Sequence, residues 1–84
     1  MSFEDVIRKA AGIGADAENL SRQIAGASQS LGTQAQGIAA IGKGNRTAEQ
    51  AAQQAQTAAR SLADSATALS ALKRAADDFV KDAS

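Results

Sequence analysis

An all-α chain, folded as an antiparallel two-helix hairpin that assembles into a four-helix bundle, follows from three observations. Apolar residues recur at steps of three and four over the first half of the chain. A glycine-rich turn, Gly42-Lys43-Gly44-Asn45-Arg46, interrupts that pattern near the middle. The second half resumes a similar period at similar length. Steps averaging 3.5 residues mark helices packed nearly antiparallel or parallel, and a short turn between equal helices selects antiparallel.

The first helix is expected over residues 3–41. Its seam reads Phe3, Val6, Ala10, Ile13, Ala17, Leu20, Ile24, Ala27, Leu31, Gln34, Ile38 and Ile41, polar only at Gln34. Ser2 can cap the start, with Asp5 three residues on. Glu4 and Arg8, Asp5 and Lys9, and Glu18 and Arg22 are spaced i,i+4 in the favourable order. Five glycines lie within it, each costing about 0.5–1 kcal/mol against alanine. Gly26 and Gly37 are candidates for close approach to a partner helix.

The turn is expected over residues 42–47. Gly42 suits a helix C-cap, and Gly44 and Asn45 tolerate positive φ. Thr47-Ala48-Glu49-Gln50 reads as a capping box opening a helix over residues 48–81. Its inner face is Ala48, Ala52, Ala55, Ala59, Leu62, Ala66, Leu69, Leu72, Ala76 and Phe79, with Val80 flanking. Lys73, Arg74, Asp77, Asp78 and Lys81 form a charged outer ladder, read as a solvated face. Folding the hairpin sets the alanine-rich start of this helix against Leu31, Ile38 and Ile41. Its bulky end then meets Phe3, Val6, Ile7 and Ile13.

Composition narrows the chemistry. The chain has 84 residues and no Cys, His, Trp, Tyr or Pro. Without Cys and His, disulfides, zinc sites and Cys/His nucleophiles are excluded. Nine basic residues balance nine acidic ones, so no global charge draws nucleic acid or an anionic membrane. Two aromatics offer no base-stacking platform. The carboxylates near the ends alternate with Lys and Arg and are expected to be solvated, which disfavours general acid/base work. Gly42-x-Gly44 follows a helix and lacks the rest of a phosphate loop. Lys43 and Arg46 at the tip read as an exposed turn. No enzyme, cofactor or metal is expected. Neither a signal peptide nor a membrane span is read: no apolar core follows Met1–Lys9, and the uncharged stretch over residues 23–42 is too polar.

Twenty-two residues are alanine, and Leu, Ile, Val and Phe together number fourteen. So thin an apolar supply in a short chain calls for association. The partner interface is expected to comprise Val6, Ile7, Ile13, Leu20, Ile24, Gly26, Leu31, Ile38, Leu62, Leu69, Leu72, Phe79 and Val80. Ile7 and Val80 are expected beside the seam, where a second hairpin covers them.

The pattern Leu62-x-x-Ser65-x-x-x-Leu69-x-x-Leu72-x-x-Ala75-Ala76-x-x-Phe79 resembles the second helix of the WXG (ESAT-like) family, the small helical hairpins of type VII secretion. Ile13, Ala17, Leu20 and Ile24 are similar to its first-helix spacing. The resemblance spans nearly the whole chain. It departs at the turn, where Gly42-Lys43-Gly44 stands instead of Trp-x-Gly. It departs again at the end, where Ala83 lies four residues after Phe79 and Asp82 is one residue short of the family's aromatic-x-x-x-acid export signal. The resemblance implies a chaperone-like partner that pairs with another hairpin or with the helical N-terminal region of an effector. It also implies a bacterial cytoplasmic location, with export only alongside that partner. The alternative is a structural self-assembling hairpin: a homodimeric bundle, needle or filament subunit.

Overall fold

The computed structural model describes residues 2–83. Two helices account for nearly all of them: α1, Phe3–Ile41, and α2, Arg46–Ala83. They lie against each other as a hairpin whose Cα atoms span 62 × 18 × 13 Å. There is no strand among the described residues.

α1 starts where the sequence places it. Ser2 has extended backbone geometry and its hydroxyl accepts from the Asp5 amide at 3.2 Å, satisfying one of the free donors of the first turn. It ends at Gly42, whose amide donates to the Ile38 carbonyl at 2.8 Å. Gly42 has φ −92°, so space rather than handedness explains the glycine: a Cβ there would collide with that of Ala48. Gly44, at φ +86°, is the residue that turns the chain through left-handed geometry.

α2 begins two residues before the position expected, because Asn45 caps it rather than Thr47. The Asn45 side-chain oxygen accepts from the Ala48 amide at 3.1 Å, and the Glu49 carboxylate reaches back to the Gly44 amide at 3.4 Å. The reciprocal logic of a capping box is therefore present, shifted toward the turn.

The seam differs from the one expected in one respect that matters for function. With heptad positions lettered from the residues that lie between the helices, α1 with its C-cap Gly42 offers Ile7, Gly14, Ser21, Ser28, Ala35 and Gly42 at a, and Ala10, Ala17, Ile24 and Leu31 at d. α2 offers Ala52, Ala59, Ala66, Lys73 and Val80 at a, and Ala48, Ala55, Leu62, Leu69 and Ala76 at d. Every one of these is buried or half-buried. Among the described residues the buried apolar side chains are all alanine: Ala17, Ala35, Ala52, Ala59, Ala66 and Ala76. Ile13, Leu20, Ala27, Gln34 and Ile41, expected in the seam, sit one position before the a residues and are exposed. Leu72 and Phe79 do the same on α2. Ile7 and Val80, expected beside the seam, are half-buried within it.

The physical reason lies in the small a residues. The Ser21 hydroxyl donates to the Ala66 carbonyl at 2.9 Å, and the Ser28 hydroxyl donates to the Ala59 carbonyl at 2.7 Å. A serine side chain reaches the backbone of a neighbouring helix only where the axes come close, and Gly, Ser and Ala opposite Ala permit that approach. Gly14 adds to it: a Cβ there would stand 3.4 Å from that of Ala76 and 3.1 Å from Asp77 Oδ1.

Candidate interaction surface

The apolar stripe of α1 is wider than one helix can cover. Phe3, Ile24, Leu31 and Ile38 occupy d positions, and Val6, Ile13, Leu20 and Ile41 occupy the adjoining g positions. Apolar residues at a, d and one flanking position mark a helix that faces more than one neighbour. Within the hairpin, α2 covers a and part of d. Of the g stripe, Val6 is half-buried, and Ile13, Leu20 and Ile41 remain outside.

On α2 the g positions are Ala51, Ala58, Ser65, Leu72 and Phe79. Antiparallel helices run in opposite senses, so one step back from the seam on either helix leads to the same side of the hairpin. Both g stripes therefore share one face. Seam contacts fix their relative levels: Gly14 lies beside Ala76, Ser21 bonds Ser70 at 2.9 Å, and Glu18 pairs with Lys73 at 3.8 Å. Contacting residue numbers sum to about 90, which sets Ile13 and Leu20 at the level of Phe79 and Leu72. Ile13 is 51% exposed, Leu20 47%, Leu72 45% and Phe79 42%. Toward the turn the same face continues through Ile38 and ends at Ile41, which is 90% exposed. No Asp, Glu, Lys or Arg occupies a g position in either helix.

One step forward from the seam lies the opposite face, and its character is polar. Glu4, Glu18, Glu49, Ser70 and Asp77 occupy its e positions with Ala11, Ala25, Gly32, Gln56 and Ala63. Lys73, at a seam position, pairs with Glu18 and Asp77 on this side, and Arg22 pairs with Glu18. The Lys73 ammonium is held above its ordinary value of 10.5, chiefly by the hydrogen bond to Asp77, with the charges of Asp77 and Glu18 adding to it against partial desolvation. A shallow open groove of about 360 Å³ runs here over Ser21, Ala25, Ser28, Ala63, Ala66 and Ser70. Ser21, Ser28 and Ser70 in its lining are hydrogen-bonded within the hairpin.

Of the interface residues expected from sequence, Ile13, Leu20, Leu72 and Phe79 come together on the apolar face, with Val6, Ile24, Leu31, Ile38, Leu62 and Leu69 bordering it. Gly26 does not join them. It is exposed on the outer side of α1, and nothing lies within 4 Å of a Cβ built there; the same holds for Gly37. The glycine that makes close approach within the hairpin is Gly14. Its signal was legible as a seven-residue recurrence of small residues, Gly14, Ser21, Ser28, Ala35 and Gly42, matched by Ala52, Ala59 and Ala66.

Among the described residues, no group of three or more acidic, His or Cys side chains could hold a metal ion. No helix there is long and apolar enough to cross a membrane. Comparison of the chain with protein-family models, with curated proteins and with solved structures returned no match.

Proposed function

We propose that this chain is a small helical binding partner, or targeting factor, of a type VII secretion system. It pairs its apolar face with another helical hairpin or with the helical N-terminal region of an effector, completing a four-helix bundle. The observation that carries the binding role is the charge-free g face, which leaves Ile13, Leu20, Leu72 and Phe79 half exposed on a hairpin whose buried residues are alanine and Gly14, the larger seam residues being only half-buried. Contiguous exposed apolar patches of this kind mark association surfaces. The secretion setting rests on the resemblance of the Leu62–Phe79 pattern to the second helix of that family. Because Ala83 stands where the acid of an aromatic-x-x-x-acid signal beginning at Phe79 falls, export is expected to depend on the partner.

The test is co-expression of the tagged chain with the products of neighbouring genes, followed by pull-down. The expected result is capture of one helical protein encoded beside a secretion ATPase, lost when Leu20→Asp and Leu72→Asp are introduced together. Capture that survives both substitutions would overturn the assignment of the face. Efficient export of the chain alone, in a host with the cognate system, would overturn the partner role.

A further inference from the structure

We infer that the face opposite the apolar one is a second docking surface, and that it takes an acidic helix of a protein partner. It shares no residue with the g face and stands independently of what that face binds.

The balanced net charge hides a division by side. On α1, and in the turn that continues its register, the b positions hold Arg8, Arg22 and Lys43, each one residue after an a position. On α2 they hold Arg46, Arg60, Arg74 and Lys81. Seven of the nine basic residues therefore share one heptad position, which holds no acidic residue. Both b stripes border the polar e face. Gln29 and Thr67, also at b, line its groove together with Ser21, Ser28 and Ser70, and Arg74 lines a continuation of about 210 Å³. With Lys73, eight basic and four acidic residues lie on this side, while Lys9 and five acidic residues lie elsewhere. Arg8 pairs with Asp5 and Arg22 with Glu18. Lys43, Arg46, Arg60 and Arg74 have no ion-pair partner among the described residues.

Spacing selects a helix as the occupant. With contacting numbers summing to about 90, Lys81, Arg74, Arg60 and Arg46 stand level with positions near 9, 16, 30 and 44 of the first half. Interleaved with Arg8, Arg22 and Lys43, they set a cation beside the groove about every seven residues, roughly 10 Å at the helical rise. Gln36 and Gln53 fill the one gap. Through the middle, Arg74, Arg22 and Arg60 come from alternate sides. A helix laid along the groove, with one carboxylate per heptad on alternate flanks, meets each of them. The floor suits such a guest. Between Glu18 and Asp77 at one end and Glu49 at the other, the e positions are Ala25, Gly32, Ala39, Gln56, Ala63 and Ser70, uncharged and, except for Gln56, small. Phosphates on a nucleic-acid strand recur about every 3.4 Å, too closely for these cations to match, and they would meet the acidic residues at both ends.

The probe is an alanine-rich peptide of about four heptads, long enough to hold helicity in water, with glutamate once per heptad on alternate flanks. The same peptide with glutamine is its control. Titrated at low salt into the full isotope-labelled chain, the glutamate peptide is expected to shift the amide resonances of Ala25, Ala63 and Thr67 and to leave those of Ile13 and Ile41 in place. Arg60→Gln with Arg74→Gln is expected to weaken binding about two- to thirtyfold, the scale of two exposed ion pairs, with helicity and mass unchanged. Added salt is expected to weaken it as well. Equal binding of the glutamine peptide, or indifference to the two arginine substitutions, overturns the acidic helix as occupant. A single-stranded oligonucleotide or a phosphatidylglycerol vesicle that shifts the same amides at lower concentration also overturns it. No shift at all, or shifts confined to the Ile13 side, overturns the surface itself while leaving capture through Leu20 and Leu72 standing.

Discussion

Ala59 shows how narrow the tolerance is between the helices. It is 9% exposed and its carbonyl takes the Ser28 hydroxyl from α1. A leucine there has no space without separating the axes, which breaks the two serine bonds. Ala59→Leu is expected to destabilise by about 1–3 kcal/mol, the usual cost of overpacking, read as a lower urea midpoint. Gly26 stands at the other extreme, with open space around it. Gly26→Ala is expected to stabilise by about 0.5–1 kcal/mol through helix propensity alone, a rise of several degrees in Tm for a domain of this size. A fall in Tm together with weaker association would mean that a partner helix approaches Gly26 closely.

At the scale of the element, the two helix starts differ in what the sequence disclosed. Ser2 with Asp5 is a short-range signal that nothing competes with. At α2, Asn45 and Thr47 are both competent caps, and the choice depends on where Gly42 packs on Ala48 and where Gly44 turns the chain. Asn45→Ala is expected to lower stability by about 0.5–2 kcal/mol, as loss of a cap does. Thr47→Ala is expected to change little, and chemical denaturation of the two variants separates them. The seam carries the same lesson. The 3.5-residue period was plain in the sequence, and d positions such as Ala17, Ile24 and Leu31 were identified correctly. Their companions were not, because the a and g stripes both lie beside d. Size favoured Ile13 and Leu20 for the interior, whereas close approach and the serine bonds favoured Gly14 and Ser21.

Lys73 gives the helix pair a pH signature. Its folded value is raised above 10.5, so the stabilisation it provides is complete below that pH and is lost as pH rises through the folded value. The Tm difference between the parent chain and Lys73→Met is expected to be constant up to about the ordinary lysine value and to close above it. A difference that persists through strongly alkaline pH would show that the charge of Lys73 is not what supports the seam.

At the scale of the whole molecule, no large side chain among the described residues is fully buried. Its large apolar residues are divided between the borders of the seam and the uncovered g face. Full burial of such a side chain contributes about 1.5–3 kcal/mol, and the half of each that remains exposed at Ile13, Leu20, Leu72 and Phe79 is available only to an assembly. The hairpin is therefore expected to gain much of its stability from association, so that its stability depends on concentration. The sequence made this division partly visible. The number of large residues pointed to association, while which of them stay outside depended on the choice of seam. The most direct test is a dilution series followed by light scattering for mass and by circular dichroism for helicity and melting. A dimer whose Tm falls with dilution, and whose association and helicity are both weakened by Leu20→Asp but not by Asp at the exposed Gln53, is the predicted result. A monomer at micromolar concentration that keeps full helicity and melts cooperatively at a concentration-independent temperature would contradict it.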